Sequence, residues 1–373
     1  MASKIPALPE RTFPVTLHLD PRERVPRWLP PAVSIGAIAL ALLIGGIILA
    51  LAGGDPLRSY AQIARSSFGS VAVFSDTMVK ATPLILVGLA CAMAFRMRLW
   101  NIGAEGQFFM GAWGASAVVL IPLVARTTPS WVVIPMMMVA AMAAGAFWGF
   151  IPGILKARYN VNEIISTLML NYIAIAWNDF FIFGVWSERG FQMSPPFPRS
   201  AWLPRLADYA RQVPAFSGLT LHLGLLFAIV AAVVVWLILN RSRWGYEIRL
   251  IGDNPRAAEY AGIRIGRTIV LVMMASGALA GLAGMSEISG VVHRLQGAIS
   301  PGYGFTGIIV AWLAKLNPFA IILVSILFGA LILAGREIQP SGIPKMIQGI
   351  ILVCLIASDF LLRYHVRLRR RTA

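Results

Sequence analysis

From Val132 to Leu155 the chain reads VVIPMMMVAAMAAGAFWGFIPGIL, a run without a single charged side chain. A bilayer-spanning helix consumes about 20 apolar residues, so this stretch is long enough to cross a membrane. Comparable apolar runs lie near 33–53, 78–95, 107–125, 163–186, 223–240, 268–286, 305–315, 318–335 and 344–362. Of the 373 residues, 58% are hydrophobic and 13% charged, and the mean hydropathy is +0.75. A soluble domain carries about a quarter charged residues, so the chain is pitched for a lipid solvent. The expectation is an all-α polytopic membrane protein with about ten transmembrane helices. The run at 305–315 is too short to cross alone as a straight helix, so that region is expected to be broken or re-entrant.

Three parts follow: an N-terminal tail (1–32), a transmembrane domain (33–362) and a basic C-terminal tail (363–373). Ala50-Leu51-Ala52 has the look of a signal-peptidase site, but the preceding polar stretch and the apolar run are both too long, so an uncleaved anchor is expected. The 32 basic residues outnumber the 16 acidic ones, and on a soluble protein a net charge of +16 would point to nucleic acid. Here the basic residues sit in short loops between apolar runs and report orientation instead. With an inside N-terminus, 21 fall on the inner side and 11 on the outer side, four of these in the long 187–222 loop. The asymmetry predicts both termini in the cytoplasm, with the run from Arg367 to Arg371 suited to an anionic inner leaflet.

Catalytic and metal chemistry find little support. Cys91 and Cys354 each lie inside an apolar run, and His18, His222, His293 and His365 are scattered one per loop or tail, so solvated loop histidines are expected and no metal site. No GxxxxGK[ST] phosphate loop occurs, so the chain does not hydrolyse ATP by itself. The string from Gly302 to Gly307 matches GxGxxG without its strand–turn–helix context, and flexible backbone before a short apolar segment accounts for those glycines better. Gly145, Gly149 and Gly153, like Gly277 and Gly281, recur every fourth residue and mark helix-packing seams.

Polarity enters the apolar runs at two places. Glu163, Thr167, Asn171 and Asn178 fall within about 80° of one another on a helix. Such a stripe faces either a water-filled path or hydrogen-bonding neighbours. The second place runs from Arg96 to Gln107, where Gly103 and Gly106 interrupt the pattern. Glu105 there either complements a helix N-terminus or belongs to a broken helix that exposes backbone to a solute. Asn101, Glu105 and Gln107 join the four stripe residues as candidate path-lining groups.

A third feature lies in the 240–267 loop. Asn254 suits an N-cap, Pro255 the first helical position and Gly262 the residue just past the end, predicting a helix over 255–261. Two turns are not stable alone in water, so the membrane domain or a partner must hold them. Arg256, Glu259 and Tyr260 share one face.

These residues also carry a resemblance. The strings Asn101-Ile102-Gly103-Ala104-Glu105-Gly106-Gln107, Val161-Asn162-Glu163-Ile164-Ile165, Leu168-Met169-Leu170-Asn171-Tyr172-Ile173, Ile251 to Ile263, and Pro301 to Gly307 resemble ABC-importer permeases of the branched-chain amino acid/ribose type, more closely the nucleoside-uptake branch. The likeness runs from about residue 80 to 355. It implies a non-catalytic subunit of the bacterial inner membrane with no cofactor. It also implies a second, similar permease, separate ATP-binding subunits and a periplasmic or lipoprotein solute-binding protein as partners. Asp253, Asn254, Pro255, Arg256, Glu259 and Gly262 would then form the coupling element to the ATPase. A permease for sugars or branched-chain amino acids is the neighbouring reading, and an ion-coupled secondary carrier, with Asp179 and Glu163 as its only candidate acids, is the reading from another class.

Overall fold

The structure, a computed structural model, describes residues 15–21, 26, 28–51, 53–121, 125, 127–335 and 342–370. Most of the N-terminal tail, the last three residues of the C-terminal tail and the final position of the Ala50-Leu51-Ala52 site lie outside them. The chain divides into a large unit of residues 54–348 and a smaller unit of residues 1–53 with 349–373.

The smaller unit holds α1 (Leu29–Leu51) and a two-stranded antiparallel pair, β1 (Val15–Pro21) with β2 (Tyr364–Arg370), registered Val15 against Arg370 and Pro21 against Tyr364. An all-α reading does not anticipate this pair. The alternation in VTLHLDP and YHVRLRR fits period-2 strands, but at seven residues each it is a weak signal.

The larger unit is helical: α2 (Pro56–Phe68), α3 (Val71–Arg96), α4 (Ala104–Leu120), α5 (Ser130–Tyr159), α6 (Glu163–Phe183), α7 (Gly224–Arg241), α8 (Arg243–Asp253), α9 (Pro255–Tyr260), α10 (Ile265–Glu287), α11 (Tyr303–Leu313) and α12 (Pro318–Ala334). A last helix, α13, spans Ile343–Arg363. Among the described residues, six helices are long and apolar enough to cross a membrane: α1, α3, α5, α6, α7 and α10 with its extension to Val292. Of the other apolar helices, α11 and α12 are shorter, and the apolar part of α13 runs over Lys345–Ser358. At 11 residues α11 measures about 16 Å, half the hydrocarbon thickness, so the run at 305–315 does not cross as a straight helix. Two helices went unanticipated. Amphipathic α2 is capped by Asp55, whose Oδ1 accepts from the amides of Leu57 (3.0 Å) and Arg58 (3.1 Å). Amphipathic α8 is capped by Ser242, which accepts from the amide of Gly245 (3.0 Å). Both lie in polar stretches where no spanning pattern draws the eye.

The centre of the larger unit is α10, against which α3, α4 and α5 pack. A methyl group built at Gly145 would collide with the Gly277 carbonyl, and one at Gly111 with the Gly281 backbone. The glycine seams therefore set the distance between α5, α10 and α4, as their spacing predicts. From the same contacts, α5 runs antiparallel to α10 (Gly153 near Val270, Gly145 near Gly281) and to α4 (Gly149 near Gln107, Ala144 near Gly114), so α4 and α10 point the same way. One end of this bundle carries α8 and α9. The other carries residues 184–223, which fold over the end of α10: Ser194 donates to Leu295 O (2.8 Å), Phe197 to His293 O (2.8 Å) and Leu203 to Ser289 O (3.0 Å).

Candidate functional site

The break between α3 and α4 gathers a cluster of buried side-chain hydrogen bonds. α3 ends at Arg96, against which Gly252 of α8 packs, and the chain turns back through Arg98 at φ 57°. Asn101 then reaches Ser276, the twelfth residue of α10, with Nδ2 donating to Ser276 Oγ (2.9 Å). That is about 16 Å along α10 from its first residue. The segment is therefore re-entrant, sunk into the bundle and not lying at its rim.

Asn101, Gln107 and Ser276 bond to one another here, while Arg96 Nε at the end of α3 is buried without a hydrogen-bond partner. Asn101 Nδ2 donates to Gln107 Oε1 (2.9 Å), Gln107 Nε2 returns a bond to Asn101 Oδ1 (3.3 Å), and Oδ1 also accepts from the Gly103 amide (3.0 Å). Ser276 Oγ donates onward to Ala90 O (2.7 Å), tying in α3. Buried backbone in an irregular segment needs such partners. Glu105 Oε2 accepts from the amide of Gly304 at 2.5 Å, so the carboxylate in the first turn of α4 also meets the start of α11. A helix N-terminus favours a negative group, and here two N-termini share one. Gly304 is required for the approach, since a methyl there would strike the Glu105 backbone. Close packing, not flexibility, explains Gly304 and Gly307. Only Gly302, at φ 103°, needs the left-handed region.

The α6 stripe faces this break. Thr167 Oγ1 accepts from the Ile102 amide (3.3 Å) and donates to Glu163 O (2.6 Å). Asn171 bridges the break, Nδ2 donating to Ile102 O (2.9 Å) and Oδ1 accepting from the Gly106 amide (2.7 Å). Glu163 pairs with Lys156 of α5 at 3.0 Å. Asn178, two turns further on, donates to Gln296 O (3.3 Å), while its Oδ1 is buried without a hydrogen-bond partner. The structure thus brings Asn101, Glu105, Gln107, Thr167 and Asn171 together, and leaves Glu163 and Asn178 at the two ends of the stripe.

Sequence reading missed a buried charge pair. Lys80 of α3 and Glu287 of α10 meet at 2.7 Å, both side chains almost wholly enclosed, and Tyr303 Oη donates to Glu287 Oε2 at 3.3 Å. Lys80 was two residues inside an expected span and Glu287 one residue past another, a signal that loop-by-loop charge counting passes over. Asp179 and Glu163 are therefore not the only acids of the bundle interior. Two histidines also depart from expectation. His222 is buried against Gly224 and Gly290, and burial holds its pKa down to about 3. His293 stacks on Trp202 at 3.6 Å and faces the Arg205 guanidinium (2.7 Å). Burial, with that guanidinium second, lowers its pKa to about 4.

The capped loop forms at the α8–α9 end. Asp253 closes α8, and Asn254 Oδ1 accepts from the Ala257 amide (3.2 Å). Pro255 opens α9, Ala261 caps it one residue earlier than the spacing predicts, and Gly262 follows at φ 73°. Ala258 is fully buried and anchors the turn, while Asp253, Asn254, Arg256, Glu259 and Tyr260 are exposed.

Several apolar spanning helices, a re-entrant segment held within them and a capped helix pair at one end define a multi-pass membrane permease. The chain matches the family of the branched-chain amino acid transport system permease component over residues 73–356, and it belongs to that family. It is 36% identical to the guanosine ABC transporter permease protein NupP of Bacillus subtilis, over 92% of this chain and 96% of that one. It is 34% identical to the glucose ABC transporter permease protein TsgB13 of Haloferax volcanii, over 94% of each. A second Bacillus subtilis protein, the guanosine ABC transporter permease protein NupQ, is 27% identical over 68% of this chain and 78% of its own length.

Proposed function

We propose that this chain is the non-catalytic transmembrane subunit of an ATP-driven importer of nucleosides in a bacterial inner membrane. The observation that carries the substrate is the 36% identity to a guanosine permease across nearly the whole of both chains. The 34% identity to a glucose permease favours sugar import as the second reading. A permease for branched-chain amino acids is the remaining neighbour, and an ion-coupled carrier fits less well, because Glu287 is already neutralised by Lys80. Two guanosine permeases from one organism both resemble this chain, which supports a second homologous permease as partner. ATP-binding subunits and a periplasmic or lipoprotein solute-binding protein complete the assembly.

Asn101, Glu105 and Gln107 frame the path by fixing the re-entrant segment, and Glu163, Thr167, Asn171 and Asn178 hold that frame from α6. The exposed residues of the α8–α9 loop, Asp253, Asn254, Pro255, Arg256, Glu259 and Gly262, meet the ATPase, with both chain termini and this loop in the cytoplasm. The transmembrane part is 33–362, with about ten crossings between tails 1–32 and 363–373. Two experiments test these readings. Vesicles holding the full importer should take up labelled guanosine, and unlabelled glucose in excess should not compete; glucose uptake unaffected by guanosine would contradict the nucleoside assignment. Single cysteines at Ser217 and Asp253, after replacement of Cys91 and Cys354, should react with an impermeant reagent from opposite faces. Reaction from the same face contradicts the orientation.

A further inference from the structure

Between the last turn of α5 and the first turns of α10 lies a groove of about 390 Å³. Arg158 and Arg267 stand at its outer end, both exposed, and among the described residues neither guanidinium has a carboxylate partner. Ile154, Val270 and Leu271 form its floor. Because α5 and α10 are antiparallel, Ile154 and Leu271 each lie one turn, about 5.4 Å, deeper into the bundle than the arginine on the same helix. The groove is therefore cationic at the bundle end and apolar one turn inward.

We propose that this groove binds one anionic phospholipid, its headgroup phosphate between Arg158 and Arg267 and the first part of an acyl chain along Ile154, Val270 and Leu271. A guanidinium offers a planar fork of donors matched to phosphate oxygens, and two of them with no internal acid partner leave the site short of negative charge. Basic pockets between spanning helices at the anionic membrane surface recognise lipid headgroups for this reason. A free phosphate would satisfy the arginines but has no use for the apolar floor. A neighbouring cavity of about 380 Å³ shares Arg267 and Leu271 and adds Arg264, Arg243 and Glu247; Arg243 pairs with Glu247 at 3.4 Å, so Arg264 is what extends the positive field beyond the two arginines. The inference rests on membership of a membrane permease family and is independent of which solute is carried.

Native mass spectrometry of the purified full chain, incubated with equimolar phosphatidylglycerol and phosphatidylcholine, tests it without any transport readout. The wild type should retain phosphatidylglycerol in preference by on the order of tenfold, as two basic side chains at an anionic lipid surface imply. Arg158→Gln/Arg267→Gln should lose the preference while melting at the wild-type temperature. Ile154→Asn/Leu271→Asn should also weaken retention with both arginines intact. An unchanged preference in the double arginine variant would overturn the proposal. So would displacement of the lipid by excess glycerol phosphate, which would mark a site for the phosphate group alone. Release of the lipid on adding the ATP-binding subunits would assign the surface to a protein partner and equally overturn it.

Discussion

Two interruptions of the helical bundle, residues 97–103 and residues 254–262, use glycine, asparagine and a nearby carboxylate in opposite ways. In the first, Asn101 and Glu105 are buried, and their atoms bond to α4, α10, α11 and the segment's own backbone, with Ser276 of α10 bonding onward to α3. In the second, Asn254 makes only its local cap and Glu259 is exposed. An internal break must satisfy its backbone within the protein, since lipid offers nothing. A surface helix has water for that, so its side chains remain available to a partner. Substitutions inside should therefore disturb assembly and transport together, and substitutions outside should disturb coupling alone.

The largest effect is expected at the buried charge pair. Lys80→Ala leaves Glu287 enclosed without its counter-charge, a situation that costs about 3–5 kcal/mol. It should lower the melting temperature in detergent sharply. Lys80→Met/Glu287→Met, which removes both charges, should recover most of the loss. Next comes Asn171→Ala, which strands the Gly106 amide and the Ile102 carbonyl, at roughly 1–3 kcal/mol for each unsatisfied group. Thermal melting and solute uptake should fall together. Retained stability with normal uptake would break the contrast between the two interruptions.

Smaller effects sharpen it. Asn178→Ala removes one 3.3 Å bond and an acceptor that already lacks a partner, so stability should change by about 1 kcal/mol or less. If uptake nevertheless collapses, Asn178 touches solute and the stripe divides into a structural half and a transport half. Gly262→Val places a β-branched residue at φ 73°, where α9 has its exit turn. The fold of the spanning helices should survive and solute-stimulated hydrolysis should drop.

The sequence made the long apolar helices, the glycine seam of α5 and α10, and the α9 caps legible, because each rests on local periodicity or a single residue's backbone preference. The α6 stripe was legible as a face, but its partners were not, since Asn171 bonds residues 65 and 69 positions away. The same holds for Lys80 with Glu287, 207 positions apart. Lone charges near span ends read as interface residues until the fold joins them. The histidines misled for a related reason: His222 stands in a loop by sequence, yet that loop folds back onto the end of α10.

The contrast between an enclosed break and an open surface helix proposed to couple to the ATPase is tested most directly by Glu259→Arg in the reconstituted importer, measuring solute-stimulated ATP hydrolysis beside thermal melting. The account predicts an unchanged melting temperature, intact assembly of the membrane subunits and loss of most of the stimulation. Full stimulation in this variant would contradict it and reduce α9 to a surface turn.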